Sequence, residues 1–270
     1  MIFDEFLKKI CTPPVLAEKD QFLIKLADSE EEIEQAMRLR YRIFNLEQGK
    51  GLESANGIDR DEFDEYCLHL IVIEKKTGEP VGTYRIHLGP VASSAIGFYS
   101  AREYSIPDLG KIASEAIEVG RSCVSPGYRT GAVVALLWLG IAEILIRSKF
   151  TYLLGCVSLE STEPVSGWAL YKHFEETGKL CDMLTAEPMP GFELEKASPE
   201  SISQLLEDKR AVSKLIPPLF KGYLRLGTKI CSKPAFDKEF GTIDFLILLN
   251  TKKLPDRYVR HFYCEKEEDN

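Results

Sequence analysis

The segment from Glu115 to Phe174 limits what this chain can fold into more than any other. Glu115 to Val124 reads as a strand, and Val124-Ser125-Pro126-Gly127-Tyr128-Arg129-Thr130-Gly131-Ala132 as a basic turn opening a long apolar helix over Thr130 to Arg147. A second β-rich run follows at Thr151 to Ser158, then a helix over about Pro164 to Thr177 that carries Leu170-Tyr171-Lys172-His173-Phe174. The apolar run Gly131 to Ile146 is shorter than the ~20 residues a membrane span needs and contains Glu143, so it is predicted to be a core helix covered by other elements. This order predicts an α/β fold, a mixed sheet with helices on both faces.

The flanking segments fill in the layers. Phe22 to Leu26 reads as a first strand ending at Asp28-Ser29, an N-cap before the acidic first turn Glu30, Glu31 and Glu32. Ile33, Ala36, Met37, Tyr41 and Phe44 then recur at helical spacing, and Arg40 falls in the same stripe, where it needs a partner or a ligand. Leu46 to Glu65, with its acidic cluster Asp59, Asp61, Glu62, Asp64 and Glu65, reads as a long loop over the surface. Cys67 to Glu74 and Pro80 to Leu88 form a hairpin around Lys75 to Glu79, Gly89 to Lys111 is irregular, and Gly241 to Leu249 is a late strand. The expected division is a core at 1–187, with 188–270 an elaboration packed on the same domain.

Composition excludes several function classes. With 34 basic and 42 acidic residues the net charge of -8 argues against wholesale nucleic-acid binding. Seven scattered cysteines with no CxxC pair and no zinc-type histidine spacing indicate reduced thiols in a cytoplasmic setting and no metal site. Met1 to Ile10 contains acids and lacks a signal peptide's apolar core; it reads as a short amphipathic helix with Ile2, Phe3, Phe6, Leu7 and Ile10 on one side. The short acidic tail Glu265 to Asn270 is the one low-complexity tract.

The turn at Arg129 to Ala132 presents free backbone N–H groups and a positive helix end, as a phosphate site would; an ordinary strand-to-helix turn reads from the same residues. Joined to Tyr171 on the later helix, it resembles the acyl-donor loop and tyrosine motif of the GNAT acyltransferase superfamily. That resemblance implies a splayed sheet in which Val124, Arg129, Gly131 and Ala132 hold the pantetheine phosphate while Tyr171 protonates the departing thiolate. Arg129-Thr130-Gly131-Ala132 is tighter than the R-x-x-G-x-G/A pattern, and a smaller nest suits the single phosphodiester of an acyl-carrier-protein arm better than the pyrophosphate of coenzyme A.

A narrower resemblance covers most of the chain. Arg40 to Phe44, Asp61 to Asp64 with Cys67 to Leu70, Val81 to Arg85, Phe98 to Ser100, Glu118 to Val124, Gly155 to Leu159 and Lys221 to Gly227 look like the ornithine-lipid N-acyltransferase family, which is related to acyl-homoserine-lactone synthases. The resemblance implies transfer of a fatty chain, a 3-hydroxyacyl group or similar, from acyl carrier protein (or coenzyme A) to the α-amine of a small amino acid such as ornithine or glycine. No permanently bound cofactor or metal is expected. The lipid product adds an expectation of peripheral contact with the inner membrane face through Met1 to Ile10 or Pro217 to Phe220.

Within that chemistry Glu118 is the general-base candidate, because an ammonium must lose a proton before its nitrogen attacks a thioester. A structural ion pair with Arg121 is the competing role. Regular strand geometry puts Glu118 and Arg121 on opposite faces, so either a β-bulge re-aims one of them or their roles are separate. Arg85, which shares a strand face with His87, is a fork for the substrate carboxylate, and Arg40 competes for that role or pairs with Asp61 or Asp64 to fix the loop. Asp61 and Asp64 could equally take the substrate ammonium, whereas Glu62 and Glu65 read as solvated. Cys123 and Cys156 are predicted to be packing residues, so direct transfer needs no covalent enzyme intermediate. An acidic carrier protein is expected to dock near Arg129. The alternatives are signal synthesis from S-adenosylmethionine and a non-catalytic acyl- or carrier-binding module.

Overall fold

The computed structural model describes residues 2–50, 54, 56–129 and 131–255. Thr130, Cys264 and the tail Glu265 to Asn270 lie outside the described residues, as do the side chains of Ile2 and Phe3. The elements that position the site are α1 (Ile2–Cys11), β1 (Val15–Lys19), β2 (Phe22–Leu26), α2 (Glu30–Tyr41), β3 (Leu68–Glu74), β4 (Pro80–Leu88), β5 (Ala116–Val124), α3 (Ala132–Ser148), β6 (Tyr152–Leu159) and α4 (Pro164–Glu176). The C-terminal part adds α5 (Pro199–Glu207), α6 (Lys209–Leu215), α7 (Pro218–Arg225), β7 (Lys229–Ile230), β8 (Ala235–Asp237) and β9 (Thr242–Asn250).

Among the described residues these nine strands form one sheet in the order β1-β2-β3-β4-β5-β6-β9-β8, with β7 also pairing β9, and Tyr104–Ser105 pairs with Glu187–Pro188 in a separate two-stranded sheet. Every pairing is antiparallel except β5 with β6. Residues 188–255 therefore contribute strands to the same sheet as the N-terminal part. Strand β9 is buried along nearly its whole length, as its uninterrupted run Phe245–Leu249 requires, because β6 and β8 flank it and helices cover it.

Helix α2 begins at Ser29, whose Oγ accepts from the Glu32 N–H at 3.3 Å, with the three glutamates of the first turn at its positive end. It packs against the face of β4 that carries Arg85 and His87. On the opposite face α3 crosses β4 so closely that a Cβ at Gly82 would stand 2.6 Å from Val133, and α1 and α7 cover α3 from outside, Trp138 meeting Tyr223 edge-on at 4.8 Å. That double covering explains why α3 is apolar nearly all round and buries Leu136, Leu137, Ile141 and Ile144. No described helix is long and apolar enough to cross a membrane.

Two expectations change. Strand β1, absent from the sequence reading, pairs with β2 at the sheet edge. The acidic loop does not lie over the surface: Asp59, Phe63 and Asp64 are buried because Arg40, fully buried on α2, draws the two aspartates inward.

Candidate active site

Parallel pairing of β5 with β6 lasts for three positions, Ala116↔Tyr152, Ile117↔Leu153 and Glu118↔Leu154. Beyond Glu118 the strands part, β5 continuing along β4 to Val124 and β6 along β9 to Leu159. A cavity of about 980 Å³ occupies the gap. Its walls come from both faces of the sheet, Trp138, Leu139 and Tyr223 on the α3 side and Arg85, His87 and Glu118 on the α2 side.

Glu118 stands at the apex. It is 5% exposed and lines the cavity, and its carboxylate accepts the backbone N–H groups of Tyr99 at 2.7 Å and Ser100 at 2.8 Å. Burial pushes its pKa up against the pull of those amide donors and of Arg85. His87 lies 4.0 Å away through Nδ1, neither ring nitrogen has a partner, and burial lowers its pKa to about 4, so the imidazole is neutral at physiological pH.

The parity conflict between Glu118 and Arg121 resolves as a bulge. Thr83 pairs with Cys123 and Arg85 with Gly120, so two residues of β5 oppose one of β4, and Arg121 takes a left-handed conformation with φ +50°. The bulge turns Arg121 onto the face of Arg85, where it donates to Asp61 at 3.1 Å. No ion pair joins Glu118 to Arg121; their roles are separate.

The remaining polar candidates form one neutral network of three arginines and three aspartates. Arg40 bonds Asp59 and Asp64, Arg85 bonds Asp61 at 2.5 Å and Asp64 at 3.2 Å, and Arg121 reaches Asp59 and Asp61. Of the six, Arg85 and Arg121 line the cavity, whereas Arg40, Asp59, Asp61 and Asp64 stand behind it. Arg40 thus fixes the loop, and the Arg40 guanidinium holds Asp64 far below the usual carboxylate range against the cost of burial. Glu62 and Glu65 are exposed, paired with Arg102 and Arg60.

At the turn, Val124, Arg129 and Gly131 line the cavity, Gly131 in the left-handed region at φ +94° just before α3, while Ala132 begins the helix outside the lining. Arg129 donates to the Val124 carbonyl at 3.0 Å and forks onto Glu47. Tyr171 falls elsewhere: it is half-buried on α4 with its ring against Trp168, and it is not part of the cavity wall, so this placement lends no support to a role in protonating the leaving group. Cys123 and Cys156 have thiol pKa values raised by burial, which leaves them protonated and unsuited to nucleophilic attack.

Three wall residues had no signal as a group in the sequence: Glu103, Asp237 and Asp244. Asp244 alone could have been noticed, as the one charge in an apolar strand.

The chemistry this arrangement can perform is removal of a proton at a cleft wide enough for a thin, extended donor. Comparison with known proteins agrees. The chain is 32% identical over 253 residues to the L-ornithine N(alpha)-acyltransferase of Brucella abortus, covering 90% of this chain and 89% of that protein. It is 33% identical over 262 residues to the enzyme of the same name from Agrobacterium fabrum, covering 91% and 86%. The chain belongs to the L-ornithine N(alpha)-acyltransferase family. Residues 39–139 match the acetyltransferase (GNAT) domain, a span that includes the end of α2, the β3–β4 hairpin and Glu118. Among solved structures the acyl-homoserine-lactone synthase LasI superposes with a TM-score of 0.51 at 10% identity, over 91% of this chain and 96% of that one, a likeness of fold alone. The protein is accordingly an acyltransferase enzyme of GNAT fold that takes an activated acyl donor.

Proposed function

We propose that the protein transfers a fatty acyl group from a phosphopantetheine thioester to the α-amine of ornithine. The observation that carries this reading is Glu118, a buried carboxylate held by two backbone amides at the point where β5 and β6 part. The donor arm enters the gap beside Val124, Arg129 and Gly131, with its chain against the apolar wall around Trp138. Glu118 takes the proton from the α-ammonium, directly or through water, and the freed amine attacks the thioester carbonyl. Backbone N–H groups of β5 beyond Glu118, where its pairing with β6 has ended, are the proposed donors to the oxyanion. Collapse breaks the C–S bond, and the proton still carried by the attacking nitrogen passes to the departing sulfur, directly or through water, so that the amide and the free thiol are released.

Acyl carrier protein is the proposed donor because the compact turn at Gly131 suits one phosphodiester, and Arg129 is the proposed docking residue. The test incubates the full chain with ornithine and matched 3-hydroxyacyl thioesters of carrier protein and of coenzyme A, and reads products by mass spectrometry. Nα-acylornithine supports the reading; no N-acyl amino acid from either donor with any amino acid overturns it. Faster turnover of the coenzyme A thioester overturns the carrier-protein part alone.

A further inference from the structure

Resting on ornithine as the acceptor, we infer that Glu103, Asp237 and Asp244 form the pocket that grips the acceptor's side-chain ammonium. The three carboxylates come from separate places in the chain, the end of the one-turn helix Ser100–Glu103, the end of β8 and the third residue of β9, yet each offers an oxygen and these lie within 4.8 Å of one another. They are 3%, 7% and 4% exposed, and all three line the same cavity as Glu118.

What separates this cluster from the acidic loop is its charge. Asp59, Asp61 and Asp64 are neutralised by three arginines, whereas none of Glu103, Asp237 and Asp244 has an ion-pair partner among the described residues. Glu103 Oε2 and Asp244 Oδ1 accept no hydrogen bond at all, although each is buried against the cavity. Asp237 spends one oxygen on the N–H groups of Glu239 and Phe240. Buried acceptors without donors are costly, and a cation that brings donors removes the cost.

An alkylammonium fits this vacancy in charge, valence and size. It has three N–H donors for three carboxylates, and oxygens at about 2.8 Å from a tetrahedral nitrogen stand about 4.6 Å apart. A divalent metal at about 2.1–2.4 Å would draw its ligands closer together. Position agrees as well: Glu103 and Cys156 both sense Asp244 and Glu118, so the cluster lies within electrostatic reach of the base. One end of a diamino acid then meets the base while the other is held charged. The held ammonium cannot attack a thioester, which directs acylation to the α-nitrogen.

The test compares ornithine with norleucine, in which a methyl group replaces the side-chain ammonium. Taking the ratio of kcat/KM for the two acceptors cancels any loss from misfolding. The parent enzyme is expected to favour ornithine by about 30-fold or more, and Glu103→Gln and Asp244→Asn each to collapse that ratio toward one. Equal use of the two acceptors by the parent, or a ratio untouched by both substitutions, overturns the ammonium pocket while leaving the acyltransferase reading intact. A rise in Tm with Mg²⁺, Ca²⁺ or Zn²⁺ together with loss of activity in chelator overturns it in favour of a metal site. Absence of turnover with every amino acid removes the reading on which the pocket rests.

Discussion

Gly155 on β6 lies against the backbone of Val119 on β5, so close that a Cβ at Gly155 would stand 2.4 Å from the Val119 carbonyl oxygen. The contact comes one residue after the last parallel pair, Glu118↔Leu154, and sets the apex from which the two strands diverge. A methyl group there cannot be absorbed by a side-chain rotation, because the obstructing atom is backbone. Gly155→Ala should therefore shift the strands beside Glu118, with an overpacking cost of about 1–3 kcal/mol. For a chain of this size that is a fall in Tm of roughly 2–12 °C, accompanied by a larger fractional loss of kcat than of substrate affinity. Unchanged kcat with a lowered Tm would show that the apex is a packing contact and no more.

Glu118→Gln removes the proton acceptor and sets an amide NH₂ near the Tyr99 and Ser100 N–H donors. The expected loss is about 10²–10⁴-fold in kcat with a modest change in KM. In the parent, burial raises the pKa of this carboxyl, and the proposed base acts in its ionised form. Activity should thus rise with pH through a midpoint above the ordinary glutamate value of 4.5, and this limb should vanish in Glu118→Gln. A pH profile of residual activity identical to that of the parent would remove Glu118 from the proton transfer.

How much of this was legible in the sequence depended on how local each signal was. Strand, turn and helix periods placed β2, β3, β4, β5, α3, β6, α4 and β9 close to where they lie, because each is a continuous run with its own pattern. Glu118 was legible for the same reason, as a charge in an otherwise β-rich run. Strand β1 was not, since its residues are half exposed at an edge and alternate poorly. Arg40 raised the right question, but its partners Asp59 and Asp64 lie 19 and 24 residues away, and only tertiary structure shows that they answer it rather than a substrate. Glu103 and Asp244 are farther apart still, and no spacing rule joins them.

Arg40→Met tests the neutral network. It leaves Asp59 and Asp64 buried with only the longer contacts to Arg121 and Arg85, and breaking a buried pair costs up to about 3–5 kcal/mol. Because the folded pKa of Asp64 is depressed, its contribution is present above the unfolded value near 3.8 and is lost as pH falls through the folded value. The difference in Tm between parent and Arg40→Met should accordingly persist from pH 8 to pH 5 and shrink only in stronger acid. A difference that disappears near neutrality would point to another group.

The acid trio makes the opposite prediction. Burial and neighbouring carboxylates raise Asp244 from 3.8 to about 6, so its ionisation penalises the ligand-free fold above pH 6, and the penalty fades as pH falls toward 4. Asp244→Asn should stabilise the ligand-free protein at pH 7.5 by the order of 1–3 kcal/mol, read as a higher Tm, and give little change near pH 4. His69 and His87, each lowered to about 4, destabilise both proteins alike as pH falls below 6.5, so the comparison of variant with parent isolates Asp244. Ornithine should raise the Tm of the parent and have a smaller effect on the variant. A variant destabilised at pH 7.5 would mean that the Asp244 carboxylate already has a partner in the free enzyme.

Arg129 lines the cavity on the side where the donor is proposed to enter. Its fork onto Glu47 is solvent-exposed, with side chains 42% and 37% accessible, and such a pair adds little to stability, about 0–1 kcal/mol. The pair can open to meet an acidic carrier without unfolding the turn, although the Arg129 bond to the Val124 carbonyl ties the same side chain to the end of β5. Arg129→Glu is therefore expected to raise KM for the carrier-protein thioester several-fold at low salt, with a weaker effect near 0.5 M salt, where the Debye length is only about 4 Å. Turnover at saturating donor should change less. Coenzyme A thioester kinetics supply the control, since loss of a phosphate contact at the turn would raise KM for both donors, whereas loss of a docking contact raises it for the carrier protein alone. Equal increases for the two donors would assign Arg129 to the phosphate and leave the carrier surface to be sought elsewhere on the rim.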